Sequence, residues 1–141
     1  MKSAIHPDTG ELVSKPMRLS AFVPLNLPIF LAMTFSAPTT FNTIFWQWLN
    51  QTYNAGMNYG QRNATSPYTA ADCGKGYAAA LVSAIGASMT LRVITNPIIK
   101  SASGGKKAIV NGIVGYVGCG CAGFANLYFM RQKELNDGIQ V

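Results

Sequence analysis

The stretch Phe45-Trp46-Gln47-Trp48-Leu49-Asn50-Gln51-Thr52-Tyr53-Asn54-Ala55-Gly56-Met57-Asn58-Tyr59-Gly60-Gln61-Arg62 decides how this chain folds. All of it but Arg62 belongs to a run, residues 19–61, that holds no Asp, Glu, Lys or Arg: 43 consecutive positions without a formal charge. Yet the second half of that run is crowded with amides. Wound as a helix, Gln47, Asn50, Gln51, Asn54 and Asn58 recur at three- and four-residue intervals and share one face. Phe45, Trp48, Leu49, Thr52, Ala55, Gly56 and Tyr59 cover much of the rest. A solvated face would carry Lys and Glu, and an ordinary core face would be aliphatic. Amides donate and accept hydrogen bonds without carrying charge, so this face suits a dry interior in which a charge is too costly.

The rest of the chain agrees with that reading. Apolar residues make up 49% and charged residues 11%, where a soluble domain carries about a quarter charged. The charges cluster in Lys2–Arg18, Arg62–Lys75, Arg92–Lys107 and Arg131–Asp137, with apolar stretches between. This alternation is the pattern of a multi-span membrane protein. The net charge of +6 resides at the ends of apolar segments, where anionic headgroups can reach it. No basic run is interleaved with aromatics, so nucleic acid is excluded as a partner and the lipid bilayer is expected instead.

Three cysteines, Cys73, Cys119 and Cys121, argue by their odd number against a disulfide framework. Cys119 and Cys121 read as packing residues within an apolar stretch. With His6 the single histidine, no metal site and no cofactor are expected. Met1–Ile5 is too short for a signal or transit peptide, so any targeting is expected to be internal, or the chain is incomplete.

In order, His6-Pro7-Asp8-Thr9-Gly10-Glu11 is a turn, by the chemistry of Pro, Asp and Gly. Asp8-Thr9-Gly10 also matches the aspartic-protease triplet, but that chemistry needs two carboxylates sharing a proton, and no second copy is present. Leu19–Ala37 is the first expected span, interrupted early by Pro24, Asn26 and Pro28. Either the backbone is broken there under cover of protein or cavity, or the helix begins near Pro28. Pro38–Asn42 is a turn into the amphipathic amide-rich helix, residues 41–60. The second span covers 76–94, past Arg92 if that side chain snorkels, and ends at Asn96-Pro97. Along it Gly76, Ala80, Ala84 and Ser88 form a stripe that admits a neighbouring helix in lipid. Gly104-Gly105-Lys106-Lys107 lacks the spacing of a phosphate loop. The third span, 108–130, carries a second stripe at Gly115, Cys119 and Gly123, with Asn111 and Asn126 as buried amides that bond other helices. Asn50-Gln51-Thr52 and Asn63-Ala64-Thr65 are formal glycosylation sequons, the first inside a helix where a glycan has no room. No nucleophile, base and orienting group converge, so no enzyme is expected.

With these segments placed, the sequence resembles the sideroflexins, a family of mitochondrial inner-membrane proteins. The resemblance is carried by His6–Glu11, by Met17-Arg18-Leu19-Ser20-Ala21-Phe22-Val23-Pro24, by Phe45–Gln51 with Asn54-Ala55, Asn58-Tyr59 and Arg62, and by Leu127–Val141. It implies a single all-α membrane domain over 1–141: about three transmembrane helices and one amphipathic amide-rich helix, corresponding to the central part of a family with about five spans. It implies carriage of small amino acids, serine above all, for one-carbon metabolism. The alternative is a non-transporting inner-membrane factor in complex assembly or iron homeostasis. Asn50, Gln51, Asn54, Asn58, Tyr59 and Arg62 are the candidate substrate residues. Serine offers a carboxylate wanting donors and an ammonium wanting acceptors, and amides supply both. Arg62 would attract the carboxylate at a cavity mouth or anchor to headgroups. Membrane orientation, coupling ion and oligomeric state are open on these residues.

Overall fold

The computed structural model describes residues 5, 6, 10, 12–60 and 70–137, except for the side chains of 19, 70, 126, 127 and 129–137. A short 3₁₀ turn, Lys15–Met17, leads into four helices: α1 (Leu19–Phe35), α2 (Thr40–Gly60), α3 (Ala70–Ser101) and α4 (Gly105–Asp137). Among the described residues the β structure is one isolated bridge, Ile5 to Leu12. That bridge closes the expected N-terminal turn. Gly10 supplies the left-handed backbone it needs, at φ 69°, and its N–H donates to His6 O at 3.0 Å. Pro7, Asp8, Thr9 and Glu11 lie outside the described residues.

α1 is neither broken at its start nor begun at Pro28. It runs from Leu19 through both prolines. Each proline withholds one i−4 hydrogen bond. Because they stand four residues apart, the two defects stack on one face. The helix stops at Phe35: Ser36 is extended, and Pro38 bars Ala37 from the α region. Its 17 residues therefore make a rod about 26 Å long, short of the roughly 30 Å of hydrocarbon that a span must cross. α2 begins cleanly, with Thr39 as its N-cap accepting from Asn42 N at 3.2 Å.

α3 does not end at Asn96-Pro97. It continues through Pro97 to Ser101. The lost donor costs one bond to Val93 O, and the next turn closes with Ala102 N donating to Ile98 O at 2.9 Å. Gly104, at φ 53°, then reverses the chain, and α4 returns along α3 in the most extensive helix contact of the fold. α2 packs on α3, and α1 on α4 and α2. α3 and α4 hold stretches, Ala71–Ser101 and Gly105–Ala125, long and apolar enough to cross a membrane, and α1 is a shorter apolar helix.

Polarity is arranged inside out. Three of the four largest wholly buried side chains are polar: Gln47, Asn50 and Ser88. The exposed surface carries Val82, Val93, Ile109, Tyr116 and Phe124. Less than a third of each long apolar stretch is buried, where the core helix of a water-soluble protein would be mostly covered. Burying apolar area drives folding in water; an interior held by amides and small residues beneath an apolar exterior belongs to a protein solvated by lipid.

Small residues set the helix contacts. Gly76, Ala80, Ala84 and Ser88 are all buried on α3. On α4 the buried positions are Asn111, Val114, Gly115, Gly118 and Ala122. The stripe expected at Gly115, Cys119 and Gly123 is thus corrected at its far end, since Gly123 is exposed. Steps of three and four alternate along α4 to follow 3.6 residues per turn.

Candidate functional site

The face of α2 seen in the sequence enters the bundle over its first three turns. Gln47 and Asn50 are each 1% exposed, and Thr43 and Gln51 are buried beside them. Gln47 Nε2 donates to Ser88 Oγ on α3 at 2.7 Å and to Gly115 O on α4 at 3.1 Å. Its Oε1 accepts from Cys119 Sγ at 3.5 Å. Asn50 Nδ2 reaches Cys119 Sγ at 3.1 Å, and Ser88 Oγ donates on to Val114 O at 3.4 Å. One amide face thereby ties three helices together. Cys119 is a member of this network rather than simple packing.

The remaining candidates separate. Asn54 and Asn58 are half-buried, the buried position in their turns being Met57. Tyr59 is 48% exposed. Arg62 lies outside the described residues. The end of α2 is covered by the N-terminal segment: Met17 packs on Gly56, where a Cβ would come within 2.8 Å of Met17 Cε, and Tyr53 OH donates to Pro16 O at 3.1 Å.

Two buried groups in this interior keep bonding capacity. Both polar atoms of Asn26 and the Oδ1 of Asn50 have no partner among the described residues. On α1, Asn26 stands one turn from Phe22, which stacks on Tyr53 of α2, and one turn from Phe30, which stacks on Tyr116 of α4. It therefore belongs to the face that α1 presents to both helices. A buried amide left unpaired costs about 1–3 kcal/mol, so these atoms are unspent hydrogen-bonding capacity in the interior.

A second polar locus lies nearer the α3–α4 turn. Arg92, expected to snorkel, is instead 6% exposed, and its Nη2 donates to Asn111 Oδ1 at 2.8 Å. Asn111 Nδ2 in turn lies within hydrogen-bond reach of the carbonyls of Met33 (2.8 Å), Thr34 (2.9 Å) and Ser36 (3.1 Å), which share its two hydrogens. Those of Met33 and Thr34 are acceptors that the C-terminus of α1 leaves without intrahelical partners, and Ser36 is the residue that caps it. Register could have revealed Arg92, because it continues the stripe of Gly76, Ala80, Ala84 and Ser88 by one more step of four. A chamber of about 10 Å³ between Met33, Thr43, Trp46, Gln47, Arg92 and Asn111 has room for about one water.

Comparison with known proteins places this arrangement. The family model of the sideroflexins matches residues 1–141. The chain is similar to sideroflexin-5 of Rattus norvegicus, 35% identical over 140 residues. It is also similar to sideroflexin-3 of Bos taurus, at 36% over 139 residues, and to sideroflexin-1 of Mus musculus, at 34% over 139 residues. In each case the match covers 99% of this chain and 41% of the relative. No solved structure matches.

Proposed function

The chain belongs to the sideroflexin family, and from that premise we propose that it acts in a carrier that moves small amino acids, serine foremost, across the mitochondrial inner membrane. Because it spans about two-fifths of the length of the relatives it matches, the activity proposed is that of the carrier to which these helices contribute. The observation that carries the reading is the unpaired amide capacity of Asn26 and Asn50 inside a lipid-solvated bundle. Polar groups inside a membrane are costly and concentrate where solutes pass. Neutral acceptors there meet an ammonium and neutral donors a hydroxyl or carboxylate, without the penalty of a fixed charge.

Asn26 separates this reading from a purely structural one. Since neither of its polar atoms is bonded within the described residues, Asn26→Leu should leave the bundle intact, whereas Asn50→Leu also removes a bond to Cys119. Serine uptake is measured in mitochondria depleted of endogenous serine carriers, with the chain or a full-length relative carrying the matching substitution. Asn26→Leu is expected to lower uptake by about tenfold or more at unchanged protein level, given the 1–3 kcal/mol carried by one buried hydrogen bond. Unchanged uptake at unchanged level would remove Asn26 from the path. A chain that restores no uptake but is retained with membrane partners would favour the non-transporting role. In either case carbonate washing of mitochondria should leave the chain in the membrane pellet, and its release into the supernatant would contradict the membrane setting.

A further inference from the structure

Arg92 is a buried cation with almost no chemistry around it to explain its burial. It stands nine residues before the end of α3, in an apolar helix, and its Nη2 alone finds an acceptor, the neutral Asn111. Nε and Nη1 have none among the described residues. No carboxylate is close to it in sequence: between Asp72 and Glu134 there is no Asp or Glu, and Asp72 stands about 30 Å away along the same helix at 1.5 Å per residue. An isolated buried guanidinium is one of the more costly groups a fold can hold.

The surroundings show where an anion would come from. Arg92 lines the small inner chamber, whose wall also includes Ser36 and Asn111. The same two residues line a larger open groove of about 400 Å³ between the α1–α2 connection and the start of α4. That is ample for a small solute. Lys107, exposed, stands at the groove. The order from outside inwards is thus an exposed cation, a wide groove, a polar partition of Ser36 and Asn111, and a buried cation with donors that have no acceptor among the described residues. The partition is the thin point, because Asn111 already contacts both α1 and Arg92.

We propose that Arg92 is the carboxylate-binding residue of this bundle, reached from the groove past Asn111, so that a small solute occupies the groove with its carboxylate directed at the Arg92 guanidinium. This rests on the amino-acid reading above for the identity of the solute, but not for the existence of an anion site. An oxygen of the carboxylate is of the size the inner chamber admits, and charge-assisted bonds to Nε and Nη1 would complete the guanidinium's donor set. It also moves the carboxylate-binding role away from Arg62.

The test uses the purified chain in detergent and reads ligand-induced shifts of its thermal midpoint. The probes are acetate, L-serine and L-serinamide, the last lacking the carboxylate. Acetate and L-serine should raise the midpoint, and L-serinamide should not. Arg92→Met should fold, with an unliganded midpoint equal to or above that of the parent, since an apolar side chain replaces an under-bonded buried charge. Its response to acetate and L-serine should be lost. Arg92→Lys keeps the charge but not the planar fork and should bind about 10- to 100-fold more weakly. If acetate shifts the parent and Arg92→Met alike, the anion binds elsewhere and the proposal falls. If acetate does nothing and Arg92→Met melts well below the parent, Arg92 is a structural residue and the proposal falls. A response to acetate but not to L-serine that disappears in Arg92→Met upholds the anion site while removing the amino-acid reading. A response to L-serine that survives in Arg92→Met does the reverse.

Discussion

Gly118→Ala should destabilise this protein more than the same added methyl at any other glycine of α4. A Cβ at Gly118 would land on Ser88 Oγ and Gln47 Nε2 and lie 3.0 Å from Ala84 O. The carbonyl belongs to the α3 backbone and can retreat only if the whole helix moves. The two side-chain atoms form the 2.7 Å bond that joins α2 to α3. The methyl therefore overpacks the closest helix contact and breaks a buried hydrogen bond together, for an expected loss of about 2–4 kcal/mol. Gly115 forms a graded comparison: its added Cβ would meet Met33 Sδ at 2.8 Å, part of a flexible side chain that can turn away, so Gly115→Ala should cost less. A Cβ at Gly120 or Gly123 would meet nothing within 4 Å among the described residues, and replacing them by Ala should gain about 0.5–1 kcal/mol of helix propensity. Thermal midpoints of the four variants in one detergent check the ranking. A Gly118→Ala protein as stable as Gly120→Ala would mean that α3 and α4 do not approach as closely as described.

The sequence carried the helices and the amide face because both depend on local pattern. Forty-three positions without charge exclude a solvated surface whatever the tertiary arrangement, and the spacing of Gln47, Asn50 and Gln51 already put them on one side. It carried less about where that face ends. Asn54 and Asn58 share the periodicity, but whether a turn is covered depends on which neighbour reaches it. Here the buried position is Met57, and what covers Gly56 and Gly60 beside it is Met17, far away in the chain. Prolines inside an apolar stretch read from sequence as helix ends, and three of them are not, for one reason. Pro24, Pro28 and Pro97 each remove a single hydrogen bond, and the bundle holds the helix together across that defect. Pro38 ends α1 because it constrains the residue before it, which no packing can relieve. Arg92 was legible in register but not in composition: an arginine near the end of an apolar stretch ordinarily extends toward headgroups, and only the continuation of the Gly76–Ser88 stripe points it inward.

Asn111→Leu is expected to be the other severe substitution, because Asn111 performs two tasks that no apolar residue of its size can take over. Its orientation follows from its neighbours. Three carbonyls, of Met33, Thr34 and Ser36, require a donor and face Nδ2, while the guanidinium of Arg92 requires an acceptor and faces Oδ1. Leucine would leave the last turn of α1 uncapped from this side and would strip Arg92 of its single acceptor among the described residues. Deleting one partner of a buried charged group costs about 3–5 kcal/mol, so the variant should accumulate poorly and melt well below the parent. The two tasks separate in a double-mutant cycle with Arg92→Met. If much of the damage is a stranded charge, the double variant should be more stable than the sum of the single effects by about 1–2 kcal/mol, and the residual loss is the cap on α1. Asn111→Asp probes the same division from the other side: it offers Arg92 a carboxylate but turns an acceptor toward three carbonyls at a helix C-terminus, where negative charge is unfavourable. It should therefore remain less stable than the parent despite the new ion pair, and should lose any response to acetate because the guanidinium is already neutralised. Additivity in the cycle, with Asn111→Leu and Arg92→Met acting independently, would show that the 2.8 Å contact between them carries no energy.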